Sequence, residues 1–148
     1  NDLHPYDKKL VADRVFNAAM DLVYGRQAQP QPAVETIEVC GDLLRMHCVW
    51  RSRSDERIRS ESRRLMTLDG DAPHEIEFLW RDCATSARAE AWLDGCDIVA
   101  RMTARRPDEV RYAWSNNPES GLICDGDGML IPPFRLTLPT DDDKGIHA

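Results

Sequence analysis

The residues with the most chemistry in them stand at the start of the chain, in NDLHPYDKK. His4 sits at the entrance to an amphipathic segment, with Asp2 two residues before it and Pro5 directly after. A histidine so placed can hold a neutral imidazole near neutral pH and be oriented by an adjacent carboxylate. In serine-based acyl transfer such an imidazole takes the proton of the serine and returns it to the leaving alcohol, while an acid or carbonyl on its other nitrogen fixes the tautomer. Asp2 is the carboxylate at hand. A plainer reading stands beside this one: Asp2 and Asp7 satisfy free helix N–H groups, and His4 is incidental. From these residues alone, capping is the commoner outcome for so short a pattern.

The other candidate groups are blander. His47, in the apolar run LLRMHCVW, reads as a half-buried strand residue, His74 follows Pro73 in a turn, and His147 lies in the tail. No two histidines have a spacing suited to a metal, so no metal site is expected. There is no G-x-S-x-G, Gly-Asp-Ser or Gly-Gln-Ser stretch, so nothing here supplies a nucleophile for His4. The five cysteines, Cys40, Cys48, Cys83, Cys96 and Cys124, form no C-x-x-C pair. That argues against structural zinc and leaves both a disulfide or two and five buried thiols open.

A second stretch, VRYAWSNNPESGLICDGDGMLIPPFRL (110–136), places Tyr112 and Trp114 alternately on a strand ahead of Asn116, Asn117 and Pro118. Rings against a pyranose face with amides on hydroxyls would make a sugar surface, although alternating aromatics are more often core. Asp125 and Asp127 look like a calcium loop but lack its further acidic ligands and closing glutamate, so a simple turn is expected. The net charge of -7 argues against a nucleic-acid surface. The one basic cluster, Arg51 to Arg64, is broken by Asp55, Glu56 and Glu61 and reads as a solvated loop or strand edge. No apolar run approaches the roughly 18 residues of a membrane span, and the N-terminus has neither the basic start nor the apolar run of a signal peptide.

These residues must be positioned by two kinds of element. From Pro5 to Tyr24, Val11, Val15, Ala18, Ala19 and Leu22 recur at helical intervals, broadened by Leu10, Phe16 and Val23, and Gly25 closes the segment. After the polar RQAQPQP the texture changes. Strands are predicted at Val34 to Val39, Leu44 to Trp50, Arg63 to Leu68, Glu75 to Trp80, Ser86 to Leu93, Asp97 to Thr103 and Glu109 to Ser115. Breaks fall at Gly41-Asp42, Asp69-Gly70-Asp71, Asp94-Gly95 and Arg106-Pro107. So many short strands imply an antiparallel sandwich or barrel-like sheet. The tail from about 140, ending DDDKGIHA, is expected to be disordered. A lone helix cannot bury its stripe on nothing: it either packs on the β unit or belongs to a sheet outside this chain.

Two motifs resemble one family together. The opening N-D-L-H-P-x-x-K-x-x-V-A-x-R, running into a segment that ends in Tyr-Gly, resembles the catalytic-histidine segment of the sialate O-acetylesterase family of SGNH hydrolases. The closing V-R-Y-A-W-x-N-N-P, followed by G-M-L-I-P-P-F-R, resembles the C-terminal signature of the same family. The resemblance implies a cofactor-free serine esterase that removes O-acetyl groups from sialic acid or related glycans, with His4 as general base and Asp2 as the candidate orienting acid. The wider pattern is D-x-x-H, and Asn1 here stands where its acid would be. The serine and the oxyanion-hole donors belong, in that family, to segments N-terminal of this one, which would therefore be the partner of this chain. Family members are often exported or lysosomal, so an extracytoplasmic location follows as an expectation.

The expected fold is therefore an α+β fragment: residues 1–25 as the final helix and catalytic-histidine loop of an α/β SGNH domain, and residues 26–148 as a β-rich, sandwich-like region. The rival is a non-catalytic β-sandwich module that binds glycan or a partner protein. It accounts for the β-rich bulk but not for the His4 segment.

Overall fold

The computed structural model describes residues 12, 15–16, 19–20, 23–25, 30–51, 57–58, 63–116 and 120–139. Its elements are β1 (Gln31–Cys40), β2 (Leu43–Arg51), β3 (Arg57–Ile58), β4 (Leu65–Thr67), β5 (Ile76–Trp80) and β6 (Thr85–Arg88). There follow β7 (Glu90–Asp94), β8 (Asp97–Arg101), β9 (Glu109–Tyr112), β10 (Ile123–Asp125) and β11 (Phe134–Thr137). Every pairing is antiparallel.

One sheet runs β1-β2-β8-β7, and the short β3 joins β2 at Trp50 and Arg51, past the stretch that pairs with β8. A second sheet runs β11-β9-β5-β6, and β4 with β10 makes a two-stranded third. The two-residue period of a strand decides what lies inside. Leu44, Met46, Cys48 and Trp50 of β2 point inward, as do Ile76, Phe78 and Trp80 of β5, and all join Ile98, Ala100, Val110 and Tyr112 in one buried cluster. The two large sheets thus share one core and leave their polar faces outward, as an antiparallel sandwich does.

Two hairpins are closed by two-residue turns whose chemistry is explicit. Gly41 links β1 to β2 at φ +63°, and Gly95 links β7 to β8 at the same φ. Glycine at the first central position with positive φ is what a type II′ turn needs, and its twist matches that of the flanking strands.

The α+β expectation with a final helix is corrected: the described protein is nearly all antiparallel β-sheet, and no continuous helix is described in it. Helical backbone occurs only at the separately described Ala12, Val15, Phe16, Ala19, Met20, Val23 and Tyr24. Val15, Phe16, Val23 and Tyr24 are 64%, 61%, 71% and 70% exposed, so these four side chains are not buried on the sheets. The physical reason is that a 3.6-residue period reports only which residues would share a face. Most helical stability comes from packing that face on something, and the β core is already complete without it.

Candidate functional site

His4 and Asp2, the expected catalytic pair, lie outside the described residues, as does Asp7. Asn117, Pro118, His147, most of the Arg51 to Arg64 cluster and the tail from 140 also lie outside the described residues, and the fold gives each of the other candidates a different setting.

Tyr112 and Trp114 do not form a shared platform. Tyr112 is fully buried, its ring stacked on Phe134 at 5.5 Å, and its hydroxyl accepts the N–H of Ile123 at 2.7 Å. The strand stops there because Ala113 takes a left-handed φ of +51°, and the turned backbone leaves Trp114 51% exposed. The core reading of the alternating aromatics holds for the tyrosine.

Asp125 is buried, and its carboxylate is occupied by donors. Oδ1 accepts the N–H groups of Asp127 at 3.0 Å and Met129 at 2.9 Å, and Oδ2 accepts Trp50 Nε1 at 2.8 Å. Arg63 Nη1 stands 3.5 Å from Oδ2. The turn reading of this Asp-Gly-Asp-Gly stretch fits that geometry: the carboxylate organises a loop and ties it to the core tryptophan. Among the described residues no group of three or more His, Cys, Asp or Glu side chains is arranged to hold a metal ion.

His47 faces outward from β2, opposite Asp97 of β8. Its Nδ1 lies 3.1 Å from Asp97 Oδ1, its Nε2 lies 3.5 Å from Glu38 Oε2, and Arg45 Nη1 holds Asp94 and Asp97 at 2.9 Å each. With a carboxylate beside each ring nitrogen, His47 joins Arg45, Asp94 and Asp97 in one cluster of polar side chains across β2, β7 and β8. The five cysteines are all free thiols. Burial pushes the Cys48 thiol up to about 12 and raises Cys124 as well, so neither is a thiolate nucleophile.

The most built polar site lies on the outer face of the β11-β9-β5-β6 sheet. Cross-strand register sets Leu79 beside both Glu109 and Ser86, Glu77 beside Arg111, and Arg111 beside Arg135. Glu109 is the centre of this face. Arg81 Nε donates to its Oε1 at 2.9 Å, Arg135 Nε donates to its Oε2 at 2.6 Å, and these two guanidinium groups hold its carboxyl below the usual carboxylate range, Arg135 more strongly. Arg111 Nε donates to Glu77 Oε2 at 2.6 Å. Above them opens a groove of about 350 Å³ lined by Arg81, Arg111, Arg135, Glu109, Thr85 and Ser86, with Leu79 and Trp80 as its apolar part.

The chain resembles a carbohydrate acetylesterase. A crystal structure of that enzyme, from Xanthomonas citri, matches with a TM-score of 0.69 at 25% identity, over 92% of this chain and 29% of the acetylesterase chain. This chain thus spans less than a third of that enzyme's length. Neither a protein-family model nor a curated protein sequence matches it. The likeness to the acetylesterase supports a carbohydrate-esterase relationship. No helix among the described residues is long and apolar enough to cross a membrane.

The acetylesterase likeness covers nearly the whole chain, yet sequence reasoning missed the arginine face altogether. Arg81, Arg111 and Arg135 come from three separate segments, and only strand pairing brings them to one surface. The available signal was the alternation Val110-Arg111-Tyr112, which puts Arg111 on the face opposite the core. His47 with Asp97 was equally hidden, since the two are joined by register alone.

Proposed function

We propose that this chain is the C-terminal part of a carbohydrate esterase of the sialate O-acetylesterase kind, which hydrolyses O-acetyl esters on sialic acid or related glycans. The observation that carries the reading is the likeness, along 92% of the chain, to a carbohydrate acetylesterase; the His4 segment adds the chemistry. A serine Oγ from an N-terminal segment attacks the acetyl carbonyl while His4 takes its proton, and His4 then gives that proton to the departing sugar oxygen, which leaves as a hydroxyl. Water, deprotonated by His4, attacks the acyl-serine and releases acetate. Asp2 orients the imidazole. Asn1, in the place of the usual acid, can hold the ring by a hydrogen bond but cannot stabilise the imidazolium. No cofactor enters this scheme, and the compartment is extracytoplasmic.

The test is acetate release from O-acetylated sialic acid and from a neutral O-acetylated sugar by the full-length polypeptide that carries these residues. His4→Ala should lower kcat about a thousandfold with the sheet signal in circular dichroism retained. Unchanged turnover would remove His4 from the mechanism, and absence of acetate release from either substrate by the unaltered polypeptide would sink the esterase reading. Preference for the neutral sugar would keep the esterase and discard the sialate.

A second reading, a non-catalytic glycan-binding or protein-binding module, is favoured by one observation: the polar groove on the outer sheet face is built from this chain's own strands and the β5–β6 turn.

A further inference from the structure

We propose that the groove over Glu109 binds a carboxylate-bearing saccharide, with Arg81 and Arg135 gripping the sugar carboxylate. The proposal uses only residues of this chain and does not depend on the esterase reading.

Arg111 is neutralised by Glu77, whereas Arg81 and Arg135 share the single carboxylate of Glu109. The two guanidinium groups thus bring positive charge to this face, in a chain whose net charge is -7, with Asp108 as the next carboxylate, its Oδ2 accepting the Arg81 backbone N–H at 2.8 Å. The arrangement of exposure gives that charge a direction: the Glu109 side chain is 9% exposed, while those of Arg81 and Arg135 are 58% and 50% exposed. The carboxylate lies beneath and the guanidinium groups face water.

Donor accounting points the same way. Each guanidinium carries five N–H donors in a fixed fork. Arg81 spends Nε and Nη2 on Glu109 and Thr137, and Arg135 spends Nε and Nη2 on Glu109. Among the described residues the Nη1 of each has no protein partner, so the two forks keep donors for an incoming anion while Glu109 fixes their position. Side chains locked in place before binding lose little freedom when a ligand arrives.

The rest of the groove fits a sugar better than a bare anion. Thr85 and Ser86 bring hydroxyls that can pair with sugar hydroxyls, and Leu79, on the outer face of β5, brings apolar surface for the carbon face of a ring. The volume of about 350 Å³ falls in the range of small-ligand sites.

The measurement is isothermal titration of the 148-residue chain with trigalacturonic acid, with its methyl ester and with inorganic phosphate. The acid should bind, and the ester, which keeps every hydroxyl but loses the charge, should bind about tenfold or more weakly, the loss of one charge-assisted hydrogen bond. Arg81→Gln should weaken the acid by a similar factor, and Arg135→Lys, which keeps the charge on Glu109 but loses the fork, should weaken it while leaving the fold intact. Equal binding of acid and ester would overturn the carboxylate grip. Phosphate binding as tightly as the acid would overturn the saccharide, leaving a simple anion site or a seat for a partner protein's acidic side chain. No heat with any probe would overturn the site. None of these results involves ester hydrolysis, so a failure here is separable from a failure to release acetate.

Discussion

Asp125 shows how much a single buried side chain can carry. Asp125→Ala would strip partners from Trp50 Nε1 and from the N–H groups of Asp127 and Met129 at once. Buried donors left unsatisfied each cost a desolvation penalty, so a loss of about 2–4 kcal/mol is expected in urea unfolding, with Asp125→Asn milder. Gly121 is constrained differently. It adopts φ +67°, and a Cβ there would stand 2.3 Å from the carbonyl oxygen of Ala72 and 2.7 Å from the amide nitrogen of His74. Backbone cannot yield as a side-chain tip would, and Gly121→Ala should cost at least about 2 kcal/mol, read as a lower urea midpoint at unchanged slope. The carboxylates give a pH dependence. Glu109 is held low by Arg135 and Arg81, Asp69 by the N–H groups of Gly121 and Asp71, and Asp82 by Arg105. A folded-state pKa below the unfolded one means stability that is fully present above the unfolded carboxylate range and lost as pH falls through the folded values. The urea midpoint should therefore be flat above about pH 5 to 6 and decline below that range, and in Glu109→Gln the decline should be shallower.

At the scale of elements, the turns were the readable part. The predicted breaks at Gly41-Asp42, Asp69-Gly70-Asp71 and Arg106-Pro107 fall between strands, and Asp94-Gly95 straddles the end of β7, because positive φ and a fixed proline ring act locally. Gly95→Val should cost about 1–2 kcal/mol by forcing a branched side chain into left-handed backbone, seen as a lower melting temperature. Where the sequence misleads is Ser86 to Leu93, which reads as one strand and folds as two. β6 pairs with β5 in one sheet and β7 with β8 in the other, and the chain changes sheets at Ala89, whose N–H bonds to Ile76 O at 2.9 Å. No local residue signals that corner; it follows from which partner edge each half meets. β10 and β11 went unread for the same reason. Three or four residues carry too little alternation, and their stability comes from β4 and β9.

For the whole molecule, the exposed Val15, Phe16, Val23 and Tyr24 form an apolar stripe that the sandwich leaves open. The chain should therefore bind a hydrophobic dye such as ANS while fully folded, and Phe16→Asp with Val23→Asp should reduce that fluorescence without moving the unfolding midpoint. A dye signal that survives the double substitution would place the exposed apolar surface elsewhere. The likeness to a carbohydrate acetylesterase belongs to this scale too: it is a likeness of architecture along nearly the whole chain, covering less than a third of the enzyme.

By itself the sequence determined the strand-rich character after residue 30, the glycine turns, and the acidic balance, since each depends on neighbours a few residues apart or on composition alone. It also supplied the His4 segment that suggests acyl transfer. Only the tertiary structure decided that Tyr112 and Trp114 part company, that Asp97 meets His47, that Asp125 reaches Trp50, and that Arg81 and Arg135 converge on Glu109. Those contacts join residues far apart in the chain, and register across a sheet, not spacing along it, selects them: a shift of one residue in pairing would send every one of those side chains to the opposite face.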